Sequence, residues 1–276
     1  MFQELHVTVP EVQWLYTQDW VYWQEGDCQR CLQLLVPHQN PARAARKFPL
    51  ILLIPGAAWH RQEMYNDIPL YARLAERGYA VVALQVRESD IAPFPAQVED
   101  VCHALAFIAT IAERFAMDMN RVFLMGNSSG GHIAMMAALF AAHGRCSLPP
   151  LRGVICESGS TDLLLCAREP LPPWMKVRPT AVLLGVESIE GHEEMARQAS
   201  CGPYIVEGVK LPPVLLIHAD RDPVVSVEHS RQLYRQLTET GHDADLCELK
   251  DCDAHGGAVF YEPAVLDAVQ AFCERC

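Results

Sequence analysis

The sequence predicts an α/β fold with a mostly parallel central sheet and helices on both faces. Three observations lead there. Short apolar runs alternate along the chain with longer stretches whose apolar residues recur at helical spacing. Parallel strands need crossover connections, and that alternation supplies them. The chain has 276 residues, half of them hydrophobic, which suits one large domain with a sizeable core.

The elements follow in order. Arg30 to Val36 reads as a strand, and Asn40 to Lys47 as a polar, basic loop. Leu50 to Ile54 is a continuous apolar run ended by Pro55 and Gly56, as expected of a strand buried on both faces. Ile68 to Arg77 is helical and stops at Gly78, the residue type best suited to a helix C-terminus. Ala80 to Val86 is a strand. Pro95 to Phe115 is a long helix, with Val98, Val101, Leu105, Ile108 and Ile111 along one stripe. Arg121 to Met125 is a strand, Gly130 to His143 an apolar helix and Gly153 to Cys156 a strand. Val214 to His218 (strand), Ser226 to Thr240 (helix), Ala244 to Leu249 (strand) and Glu262 to Cys273 (helix) close the chain.

Residues 163–210 break the rhythm. They carry Pro170, Pro172, Pro173, Pro179 and Pro203 and an exposed-looking Trp174, and they are too long for an ordinary connection. The expectation is a lid inserted over the active site.

Charge and composition narrow the function. A formal charge of −12 argues against a nucleic-acid partner, because phosphate binding needs clustered Lys and Arg. No run approaches the ~18 apolar residues of a membrane span, and Met1 to Pro10 has no signal-like pattern. With eleven cysteines and no leader, reduced thiols in the cytoplasm are expected. Cys28 with Cys31 and Cys273 with Cys276 have zinc-ligand spacing. One pair straddles the start of a strand and the other sits at a terminus, so separate thiols and no metal are expected.

The strongest local signal is Gly126-Asn127-Ser128-Ser129-Gly130, a G-x-S-x-G between an apolar strand and an apolar helix. The chain must turn sharply there, straining Ser128. Side chains two positions before and after it would collide, hence Gly126 and Gly130. Ser128 then stands at a helix N-terminus, where free amides favour developing negative charge. Ser129 is a rival nucleophile without a glycine two residues earlier.

Serine needs a base, and the base an orienting acid. Asp220 and Asp222 follow one strand, and His255 with Gly256 and Gly257 follows another. Strand C-terminal ends are where open α/β sheets place their sites. Asp222 is preferred as acid because Pro223, Val224 and Val225 fix the turn behind it; Asp220 reads as a turn cap. His255 is preferred as base. The remaining histidines read as structural: His132 lies in the nucleophile helix, and His218 ends a strand facing backbone or water. Oxyanion donors are expected from the amides of Ser129, Ala57 and Ala58.

With Leu53 to Trp59, "AERGYAVV" (75–82), "FPAQVED" (94–100), "MDMNRVFLMGNSSGGH" (117–132), "HADRDPVV" (218–225) and "AHG" (254–256), the chain resembles a branch of the α/β-hydrolase superfamily. That branch holds esterases and lipases with an HGGGW-type oxyanion loop, including acetyl esterases, feruloyl-esterase-like enzymes, hormone-sensitive-lipase relatives and arylformamidases. The resemblance spans about Lys47 to the C-terminus. It implies one α/β-hydrolase domain over 1–276, with Ser128 as nucleophile, Asp222 as acid and His255 as base. It further implies amides of Ala57, Ala58 and Ser129 as oxyanion donors, and Trp59 beside the substrate pocket. Two departures stand out. Pro55, Ala57 and Ala58 replace the loop's His and two glycines, and Val86-Arg87-Glu88 stands where relatives often carry Tyr-Arg-Leu.

The expected activity is hydrolysis of a carboxylic ester through an acyl-enzyme, with no cofactor. The expected partner is a small-molecule ester, with a short or aromatic acyl group and an acetylated or feruloylated carbohydrate among the candidates. A homodimer is compatible with this reading. A prolyl-oligopeptidase-like peptidase and a catalytically silent binding protein are the alternatives.

Overall fold

A computed structural model describes residues 1–8, 12–39, 46–171 and 175–276. Most of the predicted basic loop (residues 40–45) and Pro172, Pro173 and Trp174 of the insertion lie outside the described residues.

The sheet has eight strands: β1 (Val12–Glu25), β2 (Cys28–Gln39), β3 (Phe48–Ile54), β4 (Ala80–Leu84), β5 (Met117–Asn127), β6 (Leu151–Glu157), β7 (Val214–Ala219) and β8 (Ala244–Leu249). Their order is β1-β2-β4-β3-β5-β6-β7-β8. β1 pairs antiparallel with β2 and β2 antiparallel with β4, while β4 through β8 run parallel. Each parallel step is bridged by a helical crossover: α1 (Ile68–Glu76), α2 (Ala96–Ile111), α3 (Ser129–Ala142), and α7 (Glu228–Glu239), with α8 (Pro263–Arg275) closing the chain. The connection from β6 to β7 carries three short helices, α4 (Leu163–Arg168), α5 (Pro179–Leu184) and α6 (Glu193–Gln198).

Alternation along the strands sorts the core into two layers. Leu50, Leu52 and Ile54 of β3 face α2, α3 and α7, while Ile51 and Leu53 face α1 and α8. All seven residues of β3 are buried, which is why it reads as unbroken apolar sequence. Gly78 ends α1 at φ +97°, a conformation costly for any residue with a Cβ.

Three expectations are corrected. β1 was not anticipated: it is a mostly exposed edge strand, and a bulge with Asp19 at φ +58° interrupts its alternation. The helix expected over Pro95 to Phe115 ends at Ile111, because the chain turns through Ala116 (φ +50°) into β5. β4 stops at Leu84, two residues before the predicted Val86, since Val86 and Arg87 turn their amides to Gln62 and Asp100 side chains.

The chain runs leftward from β3 to β4, then crosses back to β5 on the other side of β3. The reversal opens a crevice at the C-terminal ends of β3 and β5, the usual ligand position in such sheets.

Candidate active site

Ser128 sits between β5 and α3 at φ +54°, ψ −125°. The glycines around it are required by contact. A Cβ on Gly126 would strike the Gly130 carbonyl, and one on Gly130 would strike the Ile54 carbonyl of β3. Gly131 passes so close to β6 that a Cβ would lie 2.9 Å from Cys156 Sγ. The strained turn is held by the Ser128 amide, which donates to the Glu157 carbonyl at 2.8 Å.

Two loops bring the other groups. After β7, Asp222 Oδ1 accepts the amides of Val224 (2.8 Å) and Val225 (3.0 Å), a local turn that leaves Oδ2 facing the crevice. After β8, His255 places Nδ1 2.8 Å from Asp222 Oδ2 and Nε2 2.9 Å from Ser128 Oγ. Gly256 and Gly257 follow at φ +90° and +75°, and a Cβ on Gly256 would sit 3.1 Å from Asn127 Nδ2. Burial pushes the Asp222 carboxyl up, but hydrogen bonds from His218 and His255 and the Val225 amide outweigh it. The group is held well below the ordinary carboxylate range.

Asp220 is not part of this chain of bonds. Its carboxylate accepts the Cys252 amide (3.1 Å) and pairs with Lys250 (3.1 Å), tying the two loops together. His218, near the end of β7, faces backbone rather than water, which lies within the expectation. It is fully buried, with Nδ1 at 2.7 Å from Ser230 Oγ, and Nε2 at 3.0 Å from the Val225 carbonyl and 3.4 Å from Asp222 Oδ2.

The loop after β3 departs from expectation at one donor. The Ala57 amide donates to Ser129 Oγ at 3.0 Å, so it already has a partner. Ala58 and Trp59 adopt φ +49° and +58°, the left-handed region that glycine occupies freely. Side chains hold this strained loop. Asn127 Oδ1 accepts the Gly56 amide (2.8 Å), and Gln62 accepts the Val86 amide (2.7 Å) while donating to the Pro55 carbonyl (2.7 Å). Ser89 donates its amide and hydroxyl to the Trp59 carbonyl. Gln62 therefore links the loop to the stretch beginning at Val86, the second place where the sequence departs from the pattern it resembles.

Trp59 lines the cavity beside Ser128, but its indole N–H points inward to His132 Nδ1 at 3.1 Å. His132 Nε2 then donates to the Ala199 carbonyl at 2.7 Å, which fixes the tautomer. Burial lowers the His132 pKa to about 4, so the ring is neutral.

A cavity of about 590 Å³ opens at Ser128 and His255. Its near wall is the Gly56–His60 stretch. Its far wall comes from the insertion, through Cys166, Glu169, Leu171, Met175, Arg178 and Thr180. Cys166, Glu169 and His229 bring potential ligand atoms within 4.8 Å of one another, and they form the one such group among the described residues. Cys28, Cys31, Cys273 and Cys276 are not gathered into one. The His229 tautomer opposes a metal at the observed group. Its Nδ1 accepts the Asp162 amide at 3.2 Å, leaving the proton on Nε2, the atom that would have to coordinate.

Sequence reasoning missed Asn127 and Gln62 as supports, and read His132 and His218 as structural without naming their partners. Asn127 occupies the free x position of G-x-S-x-G, and Gln62 lies in an irregular stretch with no pattern to flag it.

The folded chain resembles solved esterases. It superimposes on a truncated carbohydrate esterase from gut microbiota with a TM-score of 0.79 at 20% identity, covering 95% of each chain. Esterase B from Lactobacillus rhamnosis gives 0.77 at 18% identity, covering 96% of this chain and 87% of that one. In sequence, Esterase LipC of Mycobacterium tuberculosis is 25% identical over 240 residues, 78% of this chain and 58% of that protein. The chain spans about half the length of the curated relatives it matches. The BD-FAE family model matches residues 38–237, which takes in the Ser128 turn, the loop after β3, the loop carrying Asp222 and residues 163–210; the chain belongs to the BD-FAE family.

Proposed function

We propose that the protein is a serine hydrolase of carboxylic esters, with Ser128 as nucleophile, His255 as general base and Asp222 as orienting acid. The continuous path from Ser128 Oγ through His255 to the Asp222 carboxylate, at 2.9 and 2.8 Å, carries the reading.

In this mechanism Ser128 Oγ attacks the ester carbonyl while its proton passes to His255 Nε2. The Asp222 carboxylate accepts from Nδ1–H and stabilises the imidazolium. The tetrahedral oxyanion takes the Ser129 amide at the head of α3 and the Ala58 amide. The Ala57 amide joins once Ser129 Oγ releases it. Collapse transfers the His255 proton to the departing alcohol and leaves an acyl-Ser128. Water, deprotonated by His255, repeats the attack and frees the acid. Every proton is carried by these side chains, so the scheme needs no metal or organic cofactor.

Cavity size and its largely apolar wall suit short or aromatic acyl groups, and the carbohydrate-esterase likeness supports an acylated sugar among the substrates. The insertion over residues 163–210 serves as the cap of the site, since it supplies the far wall. All eleven cysteines are free thiols, which supports a reducing setting such as the cytoplasm. No helix among the described residues is long and apolar enough to cross a membrane.

The test is turnover of p-nitrophenyl acetate. Ser128→Ala is expected to lower kcat by at least roughly 10³-fold with the fold intact. Equal rates in variant and wild type would overturn the assignment.

A further inference from the structure

The loop after β3 makes a turn that its own residues disfavour. The His60 amide donates to the Ala57 carbonyl at 2.9 Å, which closes a turn around Ala58 and Trp59. Both central residues have positive φ, +49° and +58°. Turns of that kind are ordinarily made with Asn and Gly, because a Cβ is costly in the left-handed region. Ala58 and Trp59 therefore do not hold the turn by preference, and contacts from outside must. One is Ser89, which donates to the Trp59 carbonyl. The other is His132, whose Nδ1 accepts the Trp59 indole N–H at 3.1 Å, with the two rings edge-on at 5.4 Å.

The nucleophile's own helix places His132. Its amide donates to the Ser128 carbonyl at 3.1 Å, one helical turn on. Its ring is buried, and the Phe94 ring packs against it at 6.1 Å. The insertion then selects its tautomer. The Ala199 carbonyl, at the end of α6, can only accept, so Nε2 carries the proton and Nδ1 is left to accept from Trp59. A proton on Nδ1 would set N–H against N–H and release the indole.

We propose that His132 is a positioning residue: through Trp59 it holds the turn after β3, and so fixes the Ala58 amide relative to Ser128 Oγ. The kinetic part of this statement rests on the hydrolase reading above; the anchoring of the loop does not.

Three variants test it. His132→Leu removes the acceptor and fills similar space. His132→Asn keeps an acceptor, Oδ1, at the position of Nδ1. Trp59→Phe removes the donor. With p-nitrophenyl acetate, His132→Leu is expected to lower kcat roughly tenfold with KM within about twofold of wild type. His132→Asn is expected to recover most of that loss. Trp59→Phe combined with His132→Leu is expected to be no slower than the slower single variant, since both remove the same bond. Deuterium exchange of the backbone amides of residues 57–60 gives a readout independent of turnover. It is expected to quicken roughly tenfold in His132→Leu and to stay near wild type in His132→Asn. If His132→Leu melts below the assay temperature, Trp59→Phe, which leaves the His132 ring in place, carries both readouts. An unchanged kcat in His132→Leu, a His132→Asn as slow as His132→Leu, or effects that multiply in the double variant each overturn the proposal. Unchanged exchange at residues 57–60 does so too. If exchange responds as expected while folded wild type hydrolyses no ester, the hydrolase reading fails and the anchor stands. Ester turnover with a kcat indifferent to His132 sinks the positioning role alone.

Discussion

Ser128 stands in a conformation that few serines adopt, and each neighbour explains how it is tolerated. Gly126 and Gly130 clear the space, the Glu157 carbonyl accepts the strained amide, and α3 begins at the next residue, Ser129. Those glycines and their setting were legible in the sequence because steric need leaves no other residue type. The hydrogen bond from the Ala57 amide to Ser129 Oγ was not legible, because any small residue satisfies the second x of G-x-S-x-G. It makes Ser129 testable. Ser129→Ala frees the Ala57 amide but removes an anchor of the loop after β3. The expected result is a kcat changed by roughly three- to tenfold with KM nearly constant, read from steady-state kinetics. Glu157 supplies a second test at this scale. Burial alone raises its carboxyl to about 8, so it is held protonated in the fold. The unfolded chain ionises this group near 4.5. The native state therefore binds the extra proton between those values, and stability falls as pH rises from about 4.5 to about 8. Glu157→Gln stays neutral throughout. It is expected to raise Tm by several degrees at pH 8 and to flatten this part of the profile, measured by thermal melts across pH.

Among the elements, the loop after β3 and the insertion decide how the site is built. The loop spends backbone strain at Ala58 and Trp59 and recovers it through side-chain bonds from Asn127, Gln62, Ser89 and His132. Ala58→Gly relaxes φ +49° at the cost of a more flexible unfolded chain. Thermal melts are expected to show a stability change of about 0.5–1 kcal/mol in favour of glycine. A decrease would mean that the left-handed turn is not strained. Trp59→Phe keeps the ring in the cavity wall and leaves His132 Nδ1 without its donor. The expected cost is about 1–3 kcal/mol. The loop's position was readable from the strand before it, whereas its supports come from residues distant in sequence and unmarked by any motif. The insertion was readable only as a broken rhythm. Its proline-rich composition marks where regular alternation stops, but not which of its side chains turn toward Ser128.

Over the whole molecule, the parallel core strands were the most legible feature. Leu50 to Ile54 is buried on both faces, and so short an unbroken apolar run, closed by Pro55 and Gly56, suits a strand covered on both sides. The edge hairpin was the least legible, since β1 lies half in solvent and carries a bulge at Asp19. The crevice depends on the sheet keeping its register. Leu52→Ala in the centre of β3 is expected to cost about 2–5 kcal/mol, and to reduce activity only through loss of folded protein. Acid stability has its own signature. Burial holds His132 neutral down to about 4, whereas the unfolded chain takes up a proton near 6.5. Stability from this group is therefore full above that value and is lost as pH falls toward 4.

Covalent labelling addresses the nucleophile most directly. Treatment with a fluorophosphonate, followed by peptide mass mapping, is expected to place one phosphonyl group on Ser128, with none in Ser128→Ala or after unfolding. Modification at Ser129 instead, or an unlabelled wild type that is fully folded, would contradict the account.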